Sequence, residues 1–134
     1  MKAAAPKLSE HAIQVAFIDW VRMSHKRYPG LEFGFACPNG SARHPAVAAK
    51  LKAEGVRKGV PDWWLPVRRN GFSGLILEFK AGKNKLTPEQ KDYFNFLRGE
   101  QWHCEVCYST EEAIEQVKRY FTQRKDKRPA EGGA

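Results

Sequence analysis

The chain has 134 residues, a length that predicts one domain with a sizeable hydrophobic core. No apolar run approaches the length of a membrane span and no apolar signal region follows Met1, so we expect a soluble, intracellular protein. The net charge is +8, and the odd number of cysteines, three, argues against a disulfide framework.

The positive charge is divided equally between the end of the chain and the rest of it. Residues 118–134 carry six basic and two acidic side chains, a net charge of +4, which leaves +4 for the remainder. From Thr122 onward, charged residues, Pro, Gly and Ala predominate, a composition typical of a disordered tail. We therefore expect a single domain over residues 1–121 and a basic, disordered tail over residues 122–134. Because half of the excess charge lies near this tail, net charge alone is weak evidence for a nucleic-acid partner.

The first half of the chain contains signals for a helix, a strand and a second helix, in that order. Ser9 is a good N-cap for a helix that ends near Ser24, and the apolar residues of this stretch recur with helical spacing. Apolar residues then alternate with others over 31–36, which predicts a strand. A short helix is predicted over 46–54, with Gly55 as its C-terminal cap.

The middle of the chain has the pattern of a β-hairpin. Two segments rich in apolar residues, 63–67 and 75–80, each read as a strand. Asn70 and Gly71 lie between them, and this dipeptide is a strong signal for an antiparallel turn. We therefore expect the two strands to pair with each other.

A third helix, a fourth strand and a fourth helix complete the predicted order. Thr87 is a good N-cap and Gln90 completes a capping box for a helix that runs to about Arg98. A strand over 103–108 and a helix over 110–121 follow. The order α-β-α-β-β-α-β-α, with a hairpin followed by a strand–helix–strand crossover, predicts an α+β fold in which helices cover a central mixed sheet.

Cys104 and Cys107 form a single C-x-x-C pair within the predicted fourth strand. Residues three apart on a strand point to opposite faces, and no second cysteine pair is present to complete a zinc site. We therefore favour buried thiols over a zinc or redox site.

Glu78 and Lys80 lie on the same face of the predicted strand over 75–80, because side chains alternate between the two faces of a strand. Taken alone, they are typical of an edge strand with one solvated face, where an exposed ion pair is worth only about 0–1 kcal/mol. The hairpin changes this interpretation, because it returns Asp62, which directly follows Pro61, to a position beside Glu78 and Lys80.

Two carboxylates at one point of a sheet need a counter-charge. At a separation of ~4 Å they repel each other by about 4 kcal/mol in an effective dielectric of about 20. A proton, a lysine or a divalent cation can offset this repulsion, and ligands that are all oxygen suit Mg²⁺ or Mn²⁺. A metal held by Asp62 and Glu78 could polarise a phosphate oxygen and activate a water, while Lys80 could orient that water and stabilise charge on phosphorus.

Basic residues bracket these three charges in the sequence and could hold the phosphates of a nucleic acid, although solvated lysines are common on any protein. Asn39 and Arg43, in the loop before the predicted second helix, are further candidates, although Asn39 is also a typical turn residue. The candidate DNA-binding residues are Asn39, Arg43, Arg57, Lys58, Lys83 and Lys85.

Pro61-Asp62 followed by Glu78-Phe79-Lys80 resembles the P-D…(D/E)-x-K motif of a superfamily of metal-dependent nucleases with a restriction-endonuclease-like core. Further segments, in the same order, resemble the virus-type replication-repair nuclease (VRR-NUC) family of that superfamily. These segments are Cys37–Gly40, Lys58–Asp62, Leu77–Lys80, Leu86–Gln90 and the helix that holds Glu10. The resemblance extends roughly over residues 8–121.

The resemblance implies a role for each residue of the central motif. Asp62 and Glu78 would bind the metal, with the backbone carbonyl of Phe79 as a third ligand. Lys80 would be the catalytic lysine.

Two further residues have implied catalytic roles and simpler alternatives. Glu10 would face the metal from the first helix, through a water, but an acidic residue is also favoured at any helix N-terminus. Gln90 would project toward the site, although its place in the capping box already explains it.

The function that the resemblance implies is a Mg²⁺- or Mn²⁺-dependent DNA endonuclease that hydrolyses phosphodiester bonds. Small members of the family resemble homodimeric nucleases for branched DNA, such as Holliday junctions or flaps, which implies DNA repair in the cytoplasm of a bacterial or phage-infected cell. The alternative is a catalytically inactive nucleic-acid-binding module on the same fold, and the intact Asp62, Glu78 and Lys80 argue against it. A third class is an interaction protein whose basic tail binds an acidic partner.

Overall fold

Four helices and four strands make up the part of the chain that the computed structural model describes, residues 8–38 and 44–127. The helices are α1 (Glu10–Ser24), α2 (Pro45–Ala53), α3 (Pro88–Gly99) and α4 (Thr110–Thr122). The strands are β1 (Phe35–Ala36), β2 (Trp63–Leu65), β3 (Gly74–Phe79) and β4 (Trp102–Cys107). Their order confirms the predicted α-β-α-β-β-α-β-α arrangement.

The four strands form one mixed sheet in the order β1-β2-β3-β4. The first three strands pair antiparallel to one another, and β4 runs parallel to β3 through the α3 crossover. Asn70 and Gly71 have positive φ angles of 49° and 81° in the predicted β2–β3 turn. The predicted fold class, an α+β fold with a mixed sheet, is therefore confirmed. Since β3 is a central strand, the alternative of an edge strand with a solvated face is wrong.

Three of the four helices, α1, α3 and α4, cover the two faces of the sheet in separate layers. α1 and α4 pack on one face, and α3 packs on the other. The core of the first layer includes Ile13, Phe17, Leu75, Leu77, Phe79, Ala113, Val117 and Tyr120. The core of the second layer includes Ile76, Phe94, Leu97 and Cys104. The side chains of β3 alternate between the two cores, as predicted. Glu78 is two residues after Ile76 and therefore lies on the face that α3 covers.

The predicted strand over 31–36 is wrong in its first half. Leu31–Phe33 forms a 3₁₀ turn, and only the last two residues pair with β2. Gly30 starts this turn with a φ of 104°, a conformation that L side chains rarely adopt. Leu31 is fully buried whereas Phe33 is 68% exposed. Residues two apart on a strand share a face, so this difference in burial fits a tight turn and not a strand.

The two cysteines of the C-x-x-C pair are buried thiols, as predicted. Burial raises the pKa of Cys104 to about 11 and that of Cys107 to about 12, so neither is a reactive thiolate near neutral pH. Both are free. Within the described residues, no helix is both long enough and apolar enough to cross a membrane.

The segment after α4, which the sequence assigns to a tail, contacts the hairpin turn. The amide of Asn70 donates to the carbonyl of Arg124 at 2.8 Å. The amide of Gly71 donates to both carboxylate oxygens of Asp126, at 2.9 and 3.0 Å, and Arg68 forms an ion pair with this carboxylate at 3.7 Å. Residues up to Asp126 therefore pack against the domain.

Replacing Asp126 by alanine is expected to lower the free energy of unfolding by about 1–2 kcal/mol, because a charged acceptor for a backbone amide is lost. The side chain of Asp126 is only 12% exposed, so water replaces this contact poorly. Thermal unfolding of Asp126→Ala measures the effect, with Lys125→Ala as the control from the same segment. Equal melting temperatures for the two variants would contradict the contact.

Candidate active site

The β2–β3 pairing brings Asp62 and Glu78 face to face. Trp63 is the partner of Leu77, so extending the register by one residue places Asp62 opposite Glu78. The amide of Asp62 donates to Oε2 of Glu78 at 3.0 Å, and the amide of Phe79 donates to Oδ2 of Asp62 at 2.7 Å. Each carboxylate is thus held by a backbone amide of the opposite segment.

Gln90 links this pair to the start of α3. Its Nε2 donates to Oε1 of Glu78 at 2.8 Å, while its Oε1 accepts the amide of Thr87 at 2.8 Å. Because the Thr87 amide can only donate, the capping bond fixes the orientation of the Gln90 side-chain amide and aims its nitrogen at Glu78. Gln90 therefore completes the predicted capping box and contacts the candidate site at the same time.

The protein itself does not neutralise the two carboxylates. Burial, followed by the charge of Asp62, raises the pKa of Glu78 to about 8. Burial also raises the pKa of Asp62, against the opposing effect of the bond from the Phe79 amide. The charge of Lys80 lowers both pKa values, but it is a smaller effect than burial. Without an added cation, the pair is therefore expected to retain a proton at neutral pH.

Lys80 follows Glu78 on the same face of the sheet and is only 7% exposed. Its amide donates to the carbonyl of Cys107 at 3.0 Å, so the β3–β4 pairing continues through this residue. None of the ion pairs among residues 8–38 and 44–127 involves its ammonium group. A buried cation beside two carboxylates is therefore left for a ligand to contact.

Glu10, in the first turn of α1, acts on the carboxylate pair through its charge and does not join it. Its charge contributes to the raised pKa of Asp62, and its Oε1 accepts Nδ2 of Asn84 at 3.4 Å. The carbonyl of Asn84 in turn accepts the hydroxyl of Tyr108 at 2.9 Å. In the described parts of the chain, no three His, Cys, Asp or Glu side chains are grouped closely enough to hold a metal together, so Glu10 stands apart from Asp62 and Glu78.

The predicted DNA-binding cations flank the N-terminus of α3. Lys58 is an exposed residue whose Nζ lies 3.5 Å from Oε1 of Glu89, in the first turn of that helix. Lys83 and Lys85 are exposed in the loop that leads into the helix, and Arg57 is exposed beside Lys58. The remaining two candidates, Asn39 and Arg43, lie outside the described residues.

The sequence and the fold of this chain both match those of one protein family. The family model of the VRR-NUC domain matches residues 8–111, which is more than half of the chain. The chain belongs to the VRR-NUC domain family. It is also similar to a solved structure named as a VRR_NUC domain protein, with a TM-score of 0.73 and 27% sequence identity, covering 90% of this chain and 95% of that chain. No curated protein matches the chain significantly.

Membership of the VRR-NUC family makes the fold that of a nuclease, and nucleases of this family generally depend on a divalent metal. The donors in this chain fit such an ion. Asp62 and Glu78 supply carboxylate oxygens. The Phe79 amide bonds to Asp62, and because the N–H and C=O of a strand residue lie on the same side of the strand, we expect the Phe79 carbonyl on this side as well. A donor set of oxygens alone suits Mg²⁺ or Mn²⁺.

The sequence analysis did not predict three residues that hydrogen-bond to site residues or to their neighbours: Cys37, Asn84 and Tyr108. Asn84 and Tyr108 link the loop after Lys80 to Glu10, and nothing in their local pattern distinguishes them from ordinary turn and surface residues. The amide of Cys37 donates to the carbonyl of Asp62 at 2.9 Å, which fixes the backbone of Asp62 next to the start of β2. Such contacts join segments far apart in the chain and can be read only from the folded protein.

The raised pKa of Glu78 predicts how the stability of the metal-free protein changes with pH. An unfolded glutamate loses its proton near pH 4.5, whereas folded Glu78 keeps it up to about pH 8, so the folded state binds more protons between these values. The free energy of unfolding therefore falls as the pH rises through this range. In EDTA, we expect the melting temperature of the wild-type protein to fall more steeply from pH 5 to 8 than that of Glu78→Gln, which mimics the protonated acid. Equal slopes would contradict the raised pKa.

Proposed function

We propose that the protein is a Mg²⁺- or Mn²⁺-dependent DNA endonuclease that hydrolyses phosphodiester bonds. The observation that carries this proposal is the pairing of Asp62 and Glu78 across two strands, with the buried Lys80 on the same face. Burial would otherwise force the two carboxylates to share a proton, and the nearby Lys80 ammonium has no ion-pair partner among the described residues. This combination suits a cation and a phosphate together. Membership of the VRR-NUC family supports the same reaction class.

Each residue of the pair and its neighbours has a distinct role in this proposal. Asp62, Glu78 and the carbonyl of Phe79 would hold the ion, which would supply polarisation of a phosphate oxygen and a lowered pKa for a water. Lys80 orients the attacking water and stabilises the negative charge that develops on the phosphate oxygens. Gln90 keeps the Glu78 carboxylate in one orientation through its bond to Oε1. Glu10 acts at longer range, through a water.

The substrate in this proposal is DNA, with a preference for branched forms such as Holliday junctions or flaps. The exposed cations at Arg57, Lys58, Lys83 and Lys85 would hold phosphates on either side of the carboxylates, which by themselves repel DNA. A homodimer with two-fold symmetry would present two such sites to two strands of a junction, which a single small chain cannot do. A role in DNA repair in a bacterial or phage-infected cell follows from this activity.

The test is a cleavage assay on an end-labelled four-way junction, a flap and a linear duplex. Each substrate is incubated with the protein in Mg²⁺, in Mn²⁺ and in EDTA. We expect cut products with at least one of the metals, more from the branched substrates than from the linear duplex, and none in EDTA. DNA binding without cleavage under every condition would support the alternative, an inactive nucleic-acid-binding module on this fold.

A further inference from the structure

Two aromatic rings stack against each other at the edge of the sheet, close to the candidate metal-binding carboxylates. Phe35 of β1 and Trp64 of β2 are directly opposite in the strand register. Their rings lie nearly parallel, with an interplanar angle of 15° and 6.3 Å between centroids. We call this pair, Phe35 and Trp64, the aromatic shelf.

The aromatic shelf lies on the same face of the sheet as the carboxylates. Trp64 is two residues after Asp62 on an extended segment, so the two side chains share a face and their Cα atoms are about 7 Å apart. Trp63 between them points to the opposite face, into the core formed with α1 and α4. A nucleotide beside a phosphate held near Asp62 would therefore be within reach of the shelf.

The shelf is both rigid and accessible. The indole Nε1 of Trp64 donates to the carbonyl of Pro61 at 3.0 Å, which satisfies its only polar group and fixes the ring. Trp102 supports the same indole from the other side in an edge-to-face contact, with 5.2 Å between centroids. Phe35 is 47% exposed at the edge of the sheet, so its ring has contact surface left over. A phenylalanine retained only for packing is expected to be covered more completely.

We propose that the aromatic shelf stacks an unpaired nucleobase next to the phosphate that is cleaved. Stacking on an aromatic side chain requires a base with a free face, which a continuous duplex does not offer and a flap or branch point does. This inference rests on the proposed function for the nature of the substrate and names its class more closely. The enzyme acts where at least one base beside the scissile phosphate is unstacked.

The charge around the shelf favours a nucleic acid over a protein as its occupant. Four cations are exposed in the segments around the start of α3, and they would attract the phosphate backbone of a nucleic acid. The shelf itself consists of only two rings, an area that suits one or two bases and is small for a protein interface. A second copy of the chain, bound through Phe35, remains a distinguishable outcome of the test below.

The test measures binding in EDTA, so that it does not depend on cleavage. The probe is a flap DNA with 2-aminopurine at the unpaired position beside the branch, and the same sequence as a full duplex is the reference. We expect the wild-type protein to quench 2-aminopurine fluorescence in the flap. Phe35→Ala should bind the flap about tenfold more weakly and lose the quenching, with an unchanged affinity for the duplex. Phe35→Tyr should restore both properties.

The control is Phe33→Ala, since Phe33 is 68% exposed and lies outside the shelf, in the preceding turn. Its affinity for the flap should equal that of the wild-type protein. Unchanged flap binding by Phe35→Ala, an equal loss of flap and duplex binding, or a change of oligomeric state in light scattering would each overturn the inference. If quenching depends on Phe35 but no metal supports cleavage, the nuclease proposal fails and the shelf stands. If cleavage occurs without dependence on Phe35, only the shelf fails.

Discussion

Lys80→Ala is expected to lower the rate of metal-dependent DNA cleavage by at least about a hundredfold, while DNA affinity changes by no more than about twofold. The expected loss is that of one preorganised charge beside the reacting phosphate, where such groups are worth about 10²–10³ in rate. Affinity is retained because the exposed cations around the site hold the remaining phosphates. Single-turnover cleavage and filter binding on the same junction measure the two quantities separately.

Lys80 is nearly buried, so its replacement needs a structural control. Lys80→Met keeps most of the volume of the side chain and removes only the charge, and it should lose cleavage to the same extent as Lys80→Ala. A melting temperature at or above that of the wild-type protein would show that the loss is not caused by unfolding. Full cleavage activity in Lys80→Met would refute the catalytic role of the ammonium group.

Asp62→Asn is expected to abolish both Mn²⁺ binding and cleavage. The change removes one of two carboxylates that face each other across β2 and β3, and a neutral amide is a much weaker ligand for a hard cation. Calorimetric titration of Mn²⁺ into the wild-type protein at pH 7 should also show proton release, because the ion displaces the proton that the pair retains. The variant should show neither heat of binding nor proton release.

The matched control for this variant is Glu115→Gln. Glu115 is a half-exposed carboxylate on α4 whose described contact is an ion pair with Arg119, so its loss removes the same charge from the protein. It should bind Mn²⁺ and cleave DNA like the wild-type protein. Undiminished Mn²⁺ binding by Asp62→Asn would show that the ion is held elsewhere.

The helix starts could be predicted from sequence because their signals are local. Ser9, Thr87 and Ser109 each accept a bond from an amide three residues further along the chain, and each lies where the structure begins a helix. The hairpin was predictable for the same reason, since Asn70 and Gly71 tolerate the positive φ angles of the turn. The 3₁₀ turn was not, because Gly30 changes the chain direction just before residues whose alternation is also that of a strand.

Without the family resemblance, the candidate site could be predicted only as far as the pairing of the two hairpin strands determines it. Pairing through the turn places Asp62 near Glu78, but it does not reveal that burial on a central strand raises the pKa of both carboxyl groups. The capping box accounts for one half of the Gln90 amide, and only the family resemblance directed the side chain toward the site. The contact of Asp126 with Gly71 joins residues 55 positions apart, and no local pattern predicts such a contact.

The most direct test of the proposed site is a side-by-side cleavage reaction with wild-type and Asp62→Asn proteins. Both are incubated with an end-labelled four-way junction, in Mn²⁺ and in EDTA, and the products are resolved on a denaturing gel. We predict cut strands only from the wild-type protein and only in Mn²⁺. Equal cleavage by Asp62→Asn, or cleavage by the wild-type protein in EDTA, would contradict a metal-dependent reaction at Asp62 and Glu78.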